Sequence, residues 1–237
     1  GYGGRRADPY ALQTWLLMIM AKANYFDQYC SQPVAVYSPE HITQTMLSGL
    51  ARLSIYGEKA PLLVRDYLAQ WGIKLVFETH LPHTYLDGAC LLMEDGTPVI
   101  GLTLRYDRID AFWFTLMHEI AHLKMHISPE QRFIIDEDIQ NSMEDKEKEA
   151  SAYAAQIFIP DHVWNEHPAR ETGRKRDVLD LADKLGLHPA NIVGRIRHER
   201  NNYKILHNLV GHGLVRAYCE RQGLFDPVDY SPSLFLN

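Results

Sequence analysis

Cysteine is scarce: Cys30, Cys90 and Cys219 are the only three in 237 residues. They are too few and too scattered for a disulfide framework or a CxxC metal knuckle, which points to a reducing compartment, and the expected location is the cytoplasm. Long apolar runs are missing too. "TWLLMIM", near the N-terminus, is far shorter than the ~20 residues that cross a bilayer, and no small-residue cleavage site follows a basic N-terminal segment. No membrane partner is expected. Positive charge is not in excess: 24 Lys and Arg stand against 30 Asp and Glu, a formal charge of −6. That removes any global attraction to nucleic acid and leaves only a local basic patch open. There is no internal repeat and no low-complexity tract. The remainder, 46% hydrophobic and 23% charged, is the composition of a globular protein long enough to bury a real core.

The opening "GYGGRRADPY" is Gly-rich and charged and reads as a linker. From Pro9 to about Tyr29, Leu12, Trp15, Leu16, Ile19 and Met20 recur at helical spacing. "SPEHITQTMLSGLARL" predicts a helix with Ser38 as N-cap and Pro39 at its first position, Gly57 supplies a turn, and "EKAPLLVRDYLAQWG" predicts another. After Gly72 the period changes. "IKLVFETH", "ACLLM" and "PVIGLTL" read as strands, the last two joined across Asp95-Gly96, so a small antiparallel sheet is expected. Asp107 or Asp110 can cap a helix through Phe112, Leu116, Ile120 and Leu123. Further helices are predicted over about Glu144 to Phe158 and over "RDVLDLADKLG" and "HPANIVGRIRHER", with Gly186 at the break. The order helices, sheet, helices gives an α+β layout. The expected segmentation is an N-terminal helical region over 1–72 with no assigned role, a main domain over 73–215 and a C-terminal tail over 216–237.

"FTLMHEIAHLKMH", Phe114 to His126, places two histidines and a glutamate in an apolar run. His118, Glu119 and His122 fit H-E-x-x-H. Residues four apart on a helix lie one above the other, so the two imidazoles form a bidentate clamp suited to zinc. Glu119 points beside the clamp, where it can take a proton from an activated water. Burying these groups without a metal costs about 1–3 kcal/mol for each uncompensated one. A catalytic zinc needs a third ligand, and His₂Glu is one standard set. "MEDKEKEASAYAAQIF" offers Glu144, Glu147 and Glu149. Glu149 is selected because it opens "EASAYAA", whose small residues allow close approach; the other two read as a solvated helix start. The extended motif with a third histidine is excluded by Met125 and Ser128. His126 reads as a helix-end capping residue that can also approach the metal.

"FWFTLMHEIAHLKMH", "EKEASAYAAQIFIP" and "LADKLGLHPANIVGRIRHE", in that order over roughly Asp87 to Glu199, resemble the ImmA/IrrE family of intracellular metallopeptidases. The resemblance implies a compact thermolysin-like, minimal gluzincin-like zinc fold with a sheet packed on the HExxH helix. It assigns His118 and His122 as ligands, Glu119 as catalytic base and Glu149 as third ligand. It also implies a protein substrate, often a helix-turn-helix repressor that is cleaved or inactivated to release stress, mobile-element or phage-defence genes. Ser151 departs from the Asn or Asp common in the family, a residue able to orient a ligand.

Peptide hydrolysis also calls for a second donor to the developing oxyanion, typically worth ~3 kcal/mol. Candidates are His188, Arg195 and Tyr85, with His188 preferred; their plain alternatives are an N-cap, a surface ion pair and a hairpin packing residue. An extended substrate could pair with an edge of the hairpin. The rival reading takes "VLDLADKLGLHPANIVGRIRHER" as a helix-turn-helix, with Arg195, Arg197 and Arg200 facing phosphates. Ile192, Val193 and Ile196 can equally be core and few basic residues gather there, so direct DNA binding is not expected of this chain.

Overall fold

A computed structural model describes residues 7–28, 30–134 and 141–226, with the backbone alone over 141–144. Helix α1 (Pro9–Asn24) starts where the Asp8 carboxylate accepts from the Tyr10 and Ala11 amides, with Pro9 in the first turn. The expected N-cap at Ser38 opens only a 3-10 turn, Pro39–His41, without a side-chain cap bond. Helix α2 (Gln44–Arg52) begins after Thr43, whose hydroxyl accepts from the Met46 amide at 3.2 Å. Burial of Ile42 just before Thr43 fixes that later start. Gly57, at φ +57°, makes the turn into α3 (Ala60–Ala69).

Strands β1 (Lys74–Phe77), β2 (Gly88–Leu92), β3 (Pro98–Leu102) and β4 (Phe133–Ile134) form one sheet in the order β1-β3-β2-β4. β2 and β3 make the expected hairpin, with Gly96 at φ +83° and the Thr97 amide on the Asp95 carboxylate. The sheet is mixed rather than antiparallel, because β1 runs parallel to β3 from Lys74↔Val99 to Phe77↔Leu102. The connection after Phe77 skips one strand position, and the hairpin returns β3 into that gap. Alternation within a strand carries no information about which neighbour it takes.

Period two divides the sheet residues between its faces. Val76, Ala89, Leu91 and Val99 meet Leu12, Trp15 and Ile19 of α1. A side chain at Gly101 of β3 would collide with Ile19 and Trp15, so glycine there permits the close approach. Leu75, Phe77, Cys90, Ile100 and Leu102 face the larger core, built around α4 (Ile109–Met125). Neither expected aspartate caps α4; its N-cap is Arg108. Asp107 instead accepts from the Val215 and Arg216 amides at the start of α10 (Leu214–Arg221), and Asp110 lies inside the first turn with the Arg108 guanidinium.

Helix α5 (Asn141–Phe158) lies along α4, followed by α6 (Asp161–Glu166), α7 (Pro168–Thr172), α8 (Lys175–Leu185) and α9 (Pro189–Glu199). Gly186 ends α8 in the left-handed conformation, as its position predicts. The larger core takes in Met46, Leu47 and Leu50 of α2, Val64 and Leu68 of α3, and Val215 and Cys219 of α10. Elements from all three expected segments therefore contribute to the packing around the sheet and α4. No described helix is long and apolar enough to cross a membrane.

Candidate metal centre

One turn of α4 separates His118 from His122, and their Nε2 atoms come within 2.9 Å. Ala150 and Ala154 of α5 are fully buried against α4, so the small residues of this segment do let the two helices close up. The acid they bring to the imidazoles is Glu147 rather than the expected Glu149. Glu147 Oε2 lies 2.8 Å from His118 Nε2, and Oε1 lies 3.0 Å from His122 Nε2. The Glu149 side chain is 66% exposed and reaches His126 Nε2 at 3.1 Å. Helical geometry explains the exchange. Glu147, Ala150, Ser151, Ala154 and Phe158 recur at the i, i+3, i+4, i+7, i+11 spacing of a single stripe, whereas Glu149 is turned about 200° from Glu147.

His118, His122 and Glu147 place ligand atoms within 4.8 Å of one another. These are the donors of a His₂Glu set, and their separations approach the ~3.3 Å between ligands at a tetrahedral zinc with 2.0–2.1 Å bonds. Glu147 Oε1 is buried and makes no hydrogen bond of good geometry. Burial opposes ionisation of Glu147, but hydrogen bonds and charge from His118 and His122 outweigh it and bring its pKa down to about 2. Burial likewise lowers the pKa of His122, against the pull of Glu147. A carboxylate and neutral imidazoles are the protonation states that metal ligation requires. The residues fit a divalent cation.

Each imidazole also has a partner on its far nitrogen. Ser151 Oγ lies 3.3 Å from His118 Nδ1, so the departure at this position still leaves a hydroxyl behind the ring. His126 is the C-cap of α4, with its amide on the His122 carbonyl, and its ring meets His122 on the Nδ1 side, away from Glu147. Glu119, 6% exposed, borders the same pocket of about 220 Å³. Gly88 of β2 lies against it, since a Cβ there would come 2.7 Å from Glu119 Oε1. Asp87, Phe114 and Thr115 are shared with a more apolar pocket of about 460 Å³.

The proposed oxyanion donors are placed elsewhere or otherwise engaged. His188 caps α9: its Nδ1 accepts from the Ala190 amide at 3.1 Å, and its amide donates to Ser54 Oγ. Its ring lies by Gly57, a glycine that also faces Ile109, more than two turns of α4 before His118. Arg195 donates to the Ile159 carbonyl and the Asp161 carboxylate and stacks over Trp164. Tyr85 is 37% exposed, edge-on to His83. The residue that sequence reading passes over is His198 in the last turn of α9, stacked on Phe114, which in turn lies beside His118. Nothing in "GRIRHER" sets that histidine apart. The basic residues of the rival reading are tied down within the chain: Arg197 is buried with Nε on the Ile205 carbonyl, and Arg200 donates to the Glu171 carbonyl.

An HExxH helix on a small sheet, with a glutamate from the next helix converging on both histidines, is the layout of a metallopeptidase. Residues 71–195, more than half of the chain, match the family model described as the IrrE N-terminal-like domain. The chain belongs to this ImmA/IrrE family of peptidases. Comparison with curated proteins and with solved structures finds no significant match.

Proposed function

We propose that the chain is a zinc-dependent, cytoplasmic endopeptidase that acts on a protein of the helix-turn-helix repressor class. The convergence of His118, His122 and Glu147 beside the buried Glu119 carries this reading; family membership supports the peptidase class. Zinc held there would polarise the scissile carbonyl and acidify the attacking water. Glu119, at the border of the same pocket, would take a proton from the attacking water and return it to the leaving amine. Gly88 keeps β2 clear of the Glu119 carboxylate, which leaves room in the pocket for the scissile carbonyl of a peptide. The adjoining apolar pocket takes a side chain next to the cut bond. His198, in the wall of that pocket and stacked on Phe114, is the candidate donor to the oxyanion.

Purified after zinc supplementation, the protein is expected to carry about one zinc per chain, removable by a chelator. It is expected to cut the product of the repressor gene next to its own, with fragments mapped by mass spectrometry. Glu119→Gln should keep the metal and lose cleavage by about 10²–10⁴-fold. Metal-free protein after supplementation overturns the reading.

A further inference from the structure

We infer that His126 and Glu149 form an outer relay that fixes the metal-binding tautomer of His122, so both act as positioning residues for the centre. The inference rests on the metal reading above. His122 turns Nε2 towards His118 and Glu147. To ligate through that atom, a neutral imidazole must carry its proton on Nδ1. His122 Nδ1 faces His126 Nδ1 at 2.9 Å. Two ring nitrogens at this distance need one proton between them, and His122 supplies it. His126 Nδ1 is then the acceptor and its own proton sits on Nε2, which faces Glu149 Oε2 at 3.1 Å. An ionised carboxylate only accepts. Every link has one donor and one acceptor, and no other placement of the protons meets the ligation requirement along the whole chain.

The relay runs from the interior outwards: the His126 side chain is 5% exposed and that of Glu149 is 66% exposed. It is a two-step version of the carboxylate–histidine–metal arrangement that orients a ligand and raises its basicity. The support behind the other ligand is of a different kind, since His118 Nδ1 meets a neutral hydroxyl at 3.3 Å. Glu149, inferred from sequence as a direct ligand, acts on the metal through two imidazoles instead.

Zinc affinity measured by competition with a chromophoric chelator tests this without any substrate. His126→Phe keeps the ring volume but offers no acceptor, and should weaken zinc binding 10–100-fold, the range seen when outer partners of metal ligands are removed. His126→Gln, whose amide oxygen can accept from His122 Nδ1–H, should restore most of the affinity. The d–d spectrum of the cobalt(II)-loaded protein should shift in the first variant and return in the second. Glu149→Gln can still accept from His126 and should cost less than about tenfold. Parental affinity in His126→Phe, or equal losses in the Phe and Gln variants, overturns the relay and leaves the metal reading standing. So does a loss of zinc in Glu149→Gln as complete as that in Glu147→Gln, which would make Glu149 a direct ligand. A parent protein that binds no zinc removes the metal reading and the relay with it.

Discussion

Two buried polar clusters flank the sheet, one under α1 and one on α4, and they differ in what they lack. Under α1, Lys22 Nζ lies 2.9 Å from Glu78 Oε2 and donates to the Phe77 and Phe225 carbonyls. Three N–H donors meet three acceptors, and the two formal charges cancel. On α4, His118 Nε2, His122 Nε2 and an ionised Glu147 converge. With both rings in the neutral form that ligation requires, the three groups carry one net negative charge. The first cluster is complete within the chain and ties α1 to the sheet. The second becomes complete with a cation.

Breaking the complete cluster should have the largest effect on stability. Lys22→Met leaves Glu78 buried and unpaired and is expected to cost about 3–5 kcal/mol, whereas Lys22→Met with Glu78→Leu should recover most of that, because no uncompensated charge remains. Urea unfolding of the three proteins reads the difference, and equal losses in the single and double variants would show that packing, not charge balance, governs this site. The α4 cluster should behave the opposite way: adding a component stabilises it. Zinc at 100 times its Kd should raise the unfolding free energy of the parent by about 2.7 kcal/mol and that of Glu147→Gln by far less. A parent with the same stability in zinc and in chelator would erase the contrast between the two clusters.

The same contrast shows what the sequence made legible. H-E-x-x-H spacing was enough to place His118 and His122 together, because four residues are one helical turn whatever the surroundings. The helix that provides the acid could also be read, from the small residues of "EASAYAA". Adjacency to those small residues points to Glu149, whereas the helical stripe of Ala150, Ala154 and Phe158 extends back to Glu147. The parallel partner of β1 was not legible, since it depends on a skipped strand position, and neither was the cap of α4, because Asp107 is drawn to the amides of a helix over a hundred residues away. His198 reaches the site through the α4–α9 crossing, which no local pattern records.

His188 sharpens the comparison within one residue type, since it is a half-buried imidazole satisfied by its own chain. As the α9 N-cap its Nδ1 accepts from the Ala190 amide, which only the neutral ring can do. Burial lowers its pKa below the ordinary 6.5, against a smaller upward pull from Glu58. The folded state thus binds this proton less readily than the unfolded chain. The contribution of His188 to stability is full above about pH 6.5 and is lost as the pH falls through the lowered folded value. His188→Asn keeps an oxygen acceptor that does not titrate in this range. It should match the parent within about 0.5 kcal/mol at pH 7.5, against the ~1 kcal/mol typical of a lost cap, and should show a shallower decline in unfolding free energy below pH 6.5. Zinc affinity and cleavage should not change. A variant with the parent's full decline would mean that this imidazole is not held neutral by its cap, and a loss of cleavage would return His188 to the catalytic centre from which the structure removes it.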